Sequence, residues 1–252
     1  MLQTRDITKS FGGLRAVNAA SIEVPGAAIT AVIGPNGAGK TTLMNIISGF
    51  AVPDSGSVTL DGKAATGARP HQLCAMGLAR TFQNLQMFSD MSVLEVVTTG
   101  RYRHQRASLL SNLLHLPSTR AEERAAVDNA RDILRFLGVE ESYWERRAGD
   151  LPYGVQRRTE IARALATEPK YLLLDEPAAG LNNQETADLG RVLRLIADSG
   201  VAVVLIEHDI DLVMDVSQRI FVLDAGTVIA DGDPAAIRSN EAVIAAYFGG
   251  EE

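Results

Sequence analysis

The pattern of apolar and polar positions changes twice along this chain. Residues 2–33 have the alternation and turn residues of β-strands, with one predicted strand ending at Val24 before the Pro25-Gly26 turn. A further strand, SVTL at 57–60, is followed by the turn residues Asp-Gly. Between these strands an apolar run, 28–33, meets a glycine-rich loop, and a helix-like segment starts near Lys40. The first part of the chain is therefore predicted to be β-rich around this loop.

From about residue 75 to residue 166 the pattern predicts helices. The segment SVLEVVTTG begins at Ser92, a candidate helix N-cap, and ends at Gly100. Residues 120–137 place apolar side chains at helical spacing with charges elsewhere, and the segment ends at Gly138. The basic and then apolar stretch between these helices is either a solvated surface followed by local packing or a docking surface for a partner.

The last third returns to an α/β pattern. The apolar runs 171–175 and 201–207 are typical of parallel strands that are buried on both faces. A crossover helix is predicted between them at 184–198, and a hairpin turns at 224–226. A last helix is predicted to begin near Pro234 and to continue through EAVIAAYF. Since no Pro-, Gly- or Ser-rich linker separates these regions, we expect one domain with an inserted helical subdomain.

Composition narrows the classes of protein. The chain has 252 residues, of which 46% are hydrophobic, and a single cysteine, Cys74, which excludes an internal disulfide framework. Its formal net charge of −7 argues against nucleic acid as the main partner. Its apolar runs are much shorter than the roughly 20 residues that cross a bilayer, and the first ten residues lack the apolar core of a signal peptide. We therefore expect a cytoplasmic protein that works at a membrane only if another subunit holds it there.

The glycine-rich loop carries the clearest chemistry. The loop fits the phosphate-binding motif G-x-x-x-x-G-K-[ST] and is hereafter called the P-loop (residues 34–41). The residues that carry the motif are Gly34, Gly37, Gly39, Lys40 and Thr41. Its backbone N–H groups and the following helix N-terminus would attract phosphate, the lysine would reach the β- and γ-phosphates, and the threonine hydroxyl would bind Mg²⁺. The alternative is a glycine-rich turn before an ordinary helix. The flanking strand and helix favour nucleotide binding.

A second element, a pair of acidic residues, supports the prediction of nucleotide binding. Asp175 and Glu176 follow directly after a predicted buried strand. In a protein with a P-loop, the aspartate would hold Mg²⁺ directly or through water, and the glutamate would orient and partly deprotonate an attacking water. The alternative is an acidic pair that merely stabilises a helix N-terminus.

Four segments in this order resemble the ATP-binding subunits of ABC transporters. They are GPNGAGKT, LPYGVQRR at 151–158, LLLDEP at 172–177 and EHD at 207–209. Within this family, the chain is most similar to the subunits of branched-chain amino acid importers, on the segments FGGLRAVN, RTFQNLQMF and DEPAAGLN. Urea and amide importers share much of this pattern. Exporter subunits and soluble ABC ATPases are the remaining alternatives. The resemblance implies an α/β fold: a P-loop ABC ATPase core with an N-terminal antiparallel β-subdomain and an inserted α-helical subdomain at about 84–165, within one nucleotide-binding domain, 1–252.

The resemblance also implies roles for individual residues. Phe11 would stack on adenine, Gln83 would contact Mg²⁺ or the water, and His208 would contact the γ-phosphate. The implied catalytic residues are Glu176, His208 and Gln83, and the implied metal ligands are Thr41, Gln83 and Asp175. The implied ATP contacts of the loop are Gly34, Pro35, Asn36, Gly37, Ala38, Gly39, Lys40, Thr41 and Thr42.

The segment LPYGVQRR, hereafter the signature segment (residues 151–158), departs from the general LSGGQ pattern of the family. Pro152 replaces a serine, Tyr153 a glycine and Val155 a glutamine, whereas Gly154 is retained. The resemblance implies that these four residues cap ATP bound to a partner subunit. Anion binding through backbone N–H groups at the start of the next helix remains available.

The resemblance finally implies an assembly. The partners would be membrane permease subunits, a second ATP-binding subunit in a homo- or heterodimer that closes on ATP, and indirectly a solute-binding protein. ATP and Mg²⁺ would be the cofactors, nucleic acid would not be a partner, and the chain would be peripheral on the inner face of the cell membrane.

Overall fold

The computed structural model describes residues 1–81, 89–104 and 117–248. The chain forms two compact units, one made of Met1–Arg80 with Lys170–Glu252 and the other of Thr81–Pro169. The strands, in chain order, are β1 (Leu2–Phe11), β2 (Leu14–Val24), β3 (Ile29–Ile33), β4 (Ser55–Leu60), β5 (Lys63–Ala64), β6 (Leu78–Arg80), β7 (Tyr171–Asp175), β8 (Ala202–Ile206), β9 (Arg219–Asp224) and β10 (Thr227–Gly232). The helices are α1 (Lys40–Ile47), α2 (Pro70–Ala75), α3 (Val93–Thr99), α4 (Pro117–Phe136), α5 (Tyr153–Leu165), α6 (Asn183–Asp198), α7 (Ile210–Val216), α8 (Pro234–Arg238) and α9 (Glu241–Phe248).

The first unit contains two sheets. The N-terminal sheet is antiparallel in the order β2-β1-β4-β5, and the second has the order β10-β9-β3-β8-β7-β6. In the second sheet the strands from β9 to β6 run parallel, and β10 alone pairs antiparallel, with β9. Strands β3, β7 and β8 are buried at every position, which explains their continuous apolar sequences. The predicted α/β class with an N-terminal antiparallel β-subdomain is confirmed.

The helix that follows the P-loop packs into the core of this unit. Leu43, Met44 and Ile47 of α1 are almost completely buried, in one cluster with apolar residues of both sheets. Each such side chain contributes roughly 1.5–3 kcal/mol through removal of apolar surface from water. Packing of α1 against the core therefore fixes the position of its first residues and of the P-loop that precedes them.

The second unit is helical, as the inserted subdomain was predicted to be. Helix α3 starts in a capping box: the Ser92 hydroxyl accepts the Glu95 N–H at 3.2 Å, and the Glu95 carboxylate accepts the Ser92 N–H at 2.8 Å. Val97, Leu134 and Ile161, from α3, α4 and α5, are fully buried. These three helices thus share the apolar core of the unit.

Two details differ from the sequence-based expectations. The region predicted as helical begins with β6, which is too short to show a periodic pattern and is specified by its pairing with β7. The single helix predicted after Pro234 is two helices. Asn240 separates them because its side-chain oxygen accepts the N–H groups of Ala242 and Val243, which starts α9.

Within the described ranges, no helix is both long enough and apolar enough to cross a lipid bilayer.

Candidate functional site

Strand order places three predicted functional segments side by side. The P-loop follows β3, Asp175 ends β7, and His208 lies two residues beyond β8. These strands are parallel neighbours in the order β3-β8-β7, so their carboxyl ends meet at one edge of the sheet. In open α/β sheets this edge is where ligands bind.

At two positions of the P-loop, close contacts with neighbouring backbone require glycine. Gly34 has φ +151°, and a Cβ atom there would lie 2.0 Å from the carbonyl oxygen of Leu223. Gly39, at φ +98°, precedes α1 in a left-handed conformation, and its Cβ would lie 2.2 Å from the carbonyl oxygen of Ala16. Any side chain at either position would therefore displace neighbouring backbone.

Lys40 is held inside the loop. Its Nζ donates hydrogen bonds to the carbonyl oxygens of Gly34, at 2.7 Å, and Pro35, at 3.0 Å, and the residue is 6% exposed. Burial lowers the pKa of the ammonium, and the carboxylates of Glu176 and Asp175 oppose this shift. The loop thus holds a buried positive charge beside two acids.

A cleft of about 550 Å³ brings most of the predicted residues together, a volume typical of small-molecule sites. The predicted residues among those that line it are Phe11, Asn36, Gly37, Ala38, Gly39, Lys40, Thr41, Thr42, Glu176 and His208. Gly34 and Pro35 contact this group through Lys40.

Phe11 gives the cleft an apolar side. Its side chain is 55% exposed, and Lys9 Nζ lies 5.5 Å from the ring centroid. Leu14, which is 70% exposed, also lines the cleft. Exposed apolar side chains at the edge of a phosphate-binding loop suit the flat surface of a nucleotide base.

Glu176 and His208 form a direct pair. Glu176 Oε1 lies 2.7 Å from His208 Nε2, and the Glu176 N–H donates to the Ile206 carbonyl at 2.8 Å. Glu176 has φ +47°, an unfavourable conformation for a residue with a side chain, which it shares with six other non-glycine residues among those described. Backbone and side-chain bonds thus hold this carboxylate in place at the edge of the cleft.

The neighbouring Glu207 had no predicted role. Its carboxylate is buried and accepts the N–H groups of Ala178, at 2.5 Å, and His208, at 3.1 Å. Burial raises the pKa of this carboxyl, and these N–H donors and that of Asp209 partly oppose the shift. Glu207 therefore ties the loop after Glu176 to the backbone of His208. The sequence feature that could have indicated this role is a charged residue directly after an apolar strand.

Tyr247 also had no assigned role. Burial raises the pKa of its phenol, and a hydrogen bond from the Gly34 N–H partly opposes that shift. The helix α9 thus reaches the first residue of the P-loop, a contact that sequence patterns do not encode.

The acid at the end of β7 has a basic partner. Asp175 Oδ2 accepts a hydrogen bond from Arg80 at 2.8 Å, and the two side chains are only 12% and 8% exposed. The arginine is the last residue of the short strand β6, which the sequence pattern did not predict.

The signature segment lies in the second unit. Pro152 is the N-cap of α5, and Tyr153, Gly154 and Val155 form the helix's first turn. The Tyr153 hydroxyl accepts a hydrogen bond from Arg157 at 3.1 Å. Gln83 lies outside the described residues.

Magnesium fits the residues that are present. No group of three or more His, Cys, Asp or Glu side chains able to hold a metal occurs in the described part of the chain. Mg²⁺ instead is typically held by one or two protein oxygens together with phosphates and water. Thr41, in the first turn of α1, and Asp175, at the neighbouring strand end, supply oxygens of that kind.

Comparisons with known proteins agree with this arrangement. The family model described as "ABC transporter" matches residues 17–179, and the one described as "Branched-chain amino acid ATP-binding cassette transporter" matches residues 227–252. The chain is 43% identical to the high-affinity branched-chain amino acid transport ATP-binding protein BraF of Pseudomonas aeruginosa, over 99% of this chain and 98% of that protein. It is 41% identical to the corresponding protein LivG of Escherichia coli K12, with the same coverage.

A solved structure extends the likeness to three dimensions. The crystal structure of the ADP conformation of MJ1267, an ATP-binding cassette of an ABC transporter, superposes with a TM-score of 0.85 at 33% identity, over 99% of this chain and 98% of that one. Family model, relatives and fold agree. This chain belongs to the ABC transporter family, as one of its ATP-binding cassettes.

Proposed function

We propose that this protein is the ATP-hydrolysing subunit that energises a membrane importer of branched-chain amino acids. The observation that carries the enzymatic part is the Glu176–His208 pair, 2.7 Å apart, in one cleft with the P-loop. The names of the 41–43% identical relatives support the class of transported solute. The chain acts as a single nucleotide-binding domain, with residues of about 84–165 as its helical subdomain.

The chain's own groups account for binding. Lys40, now bonded to two loop carbonyls, turns its ammonium to phosphate oxygens, which are stronger acceptors because they are charged. Phe11 offers its exposed ring to adenine. Thr41, Asp175 and Gln83 are the residues that would hold Mg²⁺, which would neutralise charge on the phosphates.

Hydrolysis transfers the γ-phosphoryl group to water. Glu176 accepts the proton of the attacking water as the new P–O bond forms and the bond to ADP breaks. His208 Nε2 holds this carboxylate. In the nucleotide complex, the imidazole of His208 contacts the γ-phosphate. Glu176 and His208 thus position the water and stabilise charge, the two contributions on which phosphoryl transfer mainly depends.

The work is done through partners. A second ATP-binding subunit presents its own signature segment to this site, while Pro152, Tyr153, Gly154 and Val155 of this chain serve the partner's site. Closure of the pair moves permease subunits, to which a solute-binding protein delivers the amino acid. The protein is thereby held on the inner face of the membrane.

The proposal is tested by isolating the tagged chain from detergent-solubilised membranes and identifying its partners by mass spectrometry. Two polytopic permeases and a second ATP-binding subunit are expected. Ribosomal or DNA-repair proteins without membrane proteins would overturn the transport assignment. Uptake of labelled leucine and labelled urea, in cells that carry Glu176→Gln, then distinguishes the solutes. Loss of leucine uptake alone is expected.

A further inference from the structure

The ion pair at the end of β7 has a built environment. The Arg80 guanidinium donates through Nη2 to Asp175 Oδ2 at 2.8 Å, and through Nη1 to Asn45 Oδ1 and Ser48 Oγ, both at 2.7 Å. Asn45 belongs to α1 and Ser48 is its C-cap. One planar cation thus joins the acid of β7 to the helix that starts at the P-loop.

Strand pairing explains why the arginine reaches this place. Arg80 of β6 pairs with Leu173 of β7, two residues before Asp175. Side chains two apart on a strand lie on the same face, so the arginine and the aspartate both point toward α1. The Arg80 guanidinium also lies 5.8 Å from the ring centroid of Phe50, which follows α1.

We propose that Arg80 is a positioning residue that sets the orientation of the Asp175 carboxylate for the metal ion of the nucleotide complex. The bond to Arg80 engages Oδ2, so Oδ1 is the oxygen that we assign to the metal or its water. Only arginine can hold three acceptors with one planar group, and a lysine would keep the charge but not this geometry.

This inference rests on the proposed function and concerns metal binding more than nucleotide binding. The full chain is compared with Arg80→Gln, Arg80→Lys and Ser48→Ala. Arg101→Gln, in the second unit, is the matched control, because it removes an arginine paired with the acid Glu168. The first measurement is Mn²⁺ binding in the presence of ADP, from the electron paramagnetic resonance of free Mn²⁺, with binding to ADP alone subtracted.

We expect Arg80→Gln to weaken Mn²⁺ binding about tenfold, to lower kcat about tenfold and to change KM for ATP at saturating metal less than about twofold. Arg80→Lys should fall between wild type and glutamine, Ser48→Ala should weaken Mn²⁺ binding only about twofold, and Arg101→Gln should match wild type.

Unchanged Mn²⁺ affinity in Arg80→Gln overturns the inference, even if the variant unfolds at lower temperature, since a merely structural role would lower stability alone. If Arg80→Gln does not fold, Arg80→Lys decides, and wild-type Mn²⁺ affinity there overturns the inference. A wild-type protein that binds no Mn²⁺ with ADP instead contradicts the proposed function.

Discussion

Glu176 is held through both its side chain and its backbone. His208 Nε2 contacts it at 2.7 Å, and the residue's own backbone is in the left-handed region at φ +47°. Such a conformation costs of order 1–3 kcal/mol and persists only where surrounding contacts impose it. The hydrogen bond of its N–H to Ile206 on β8 is one of those contacts. These contacts together fix the position of the carboxylate that we propose as the proton acceptor.

Glu176→Gln should therefore bind ATP with near-normal affinity but hydrolyse it at least ~100-fold more slowly. Glutamine has the same size and can still bond to His208, but it cannot accept the proton of water. Phosphate release and calorimetric ATP titration measure the two quantities. Near-normal turnover would remove Glu176 from this role.

Lys40→Ala should instead lose ATP binding as well as turnover, and it serves as the comparison. It removes the ammonium that the loop holds, so tight ATP binding should disappear together with turnover. Unchanged nucleotide affinity in this variant would contradict the assignment of the P-loop.

At the scale of an element, capping sets where helix α6 begins. Asn182 Oδ1 accepts the N–H groups of Gln184 and Glu185, both at 3.0 Å. The Glu185 carboxylate accepts the Asn182 N–H at 3.0 Å in return. This capping box determines where the loop after Glu176 ends and where α6 begins, close to the predicted start of the helix.

Asn182→Ala should lower the free energy of unfolding by about 1 kcal/mol, because the first turn of α6 loses the acceptor for two N–H groups. Urea denaturation followed by circular dichroism measures the change. Gln184→Ala is the control, since that exposed side chain bonds to Asp188 one turn further along the helix and its loss should cost a few tenths of a kcal/mol at most. Equal effects of both substitutions would contradict the role of the cap.

At the scale of the whole molecule, Asp61 connects the two sheets of the first unit. It lies in the turn between β4 and β5 and accepts hydrogen bonds from Lys170 at 2.8 Å and from the Tyr171 hydroxyl, at the start of β7, at 2.5 Å. The Met1 ammonium also donates to it, at 2.7 Å. These donors, Lys170 first, lower the pKa of the Asp61 carboxyl well below its usual range, and burial and Asp61 together raise the pKa of Tyr171.

This shift has a definite pH dependence. Because the folded pKa lies below the unfolded value of 3.8, the stabilisation is fully present above pH 3.8 and is lost as pH falls toward the folded pKa. Asp61→Asn should lower the free energy of unfolding at pH 7 by about 1 kcal/mol, a value reduced for the partial exposure of the group. The difference from wild type should shrink below about pH 4.

Urea titrations at pH 7, 5, 4 and 3.5 measure this difference. Asp90→Asn, an exposed position in the second unit, changes the net charge equally and should show little effect at any of these pH values. A difference that stays constant with pH would exclude Asp61 as its source.

Much of the fold followed from contiguous sequence. The features that were predicted are each encoded within a few neighbouring residues. They are the P-loop, the buried strands β3, β7 and β8, the cap of α3 and the hairpin between β9 and β10. The short strand β6 and the break between α8 and α9 were missed. Three residues carry no periodicity, and the break depends on one asparagine side chain.

The sequence by itself determined which residues could carry phosphate chemistry, since motif spacing and residue type are local properties. Only the tertiary structure decided which groups meet. Glu176 and His208 are 32 residues apart, Ala178 and Glu207 29, and Arg80 and Asp175 95. Strand order brings these pairs to one edge of the sheet, and no pattern along the chain records the order in which strands pair.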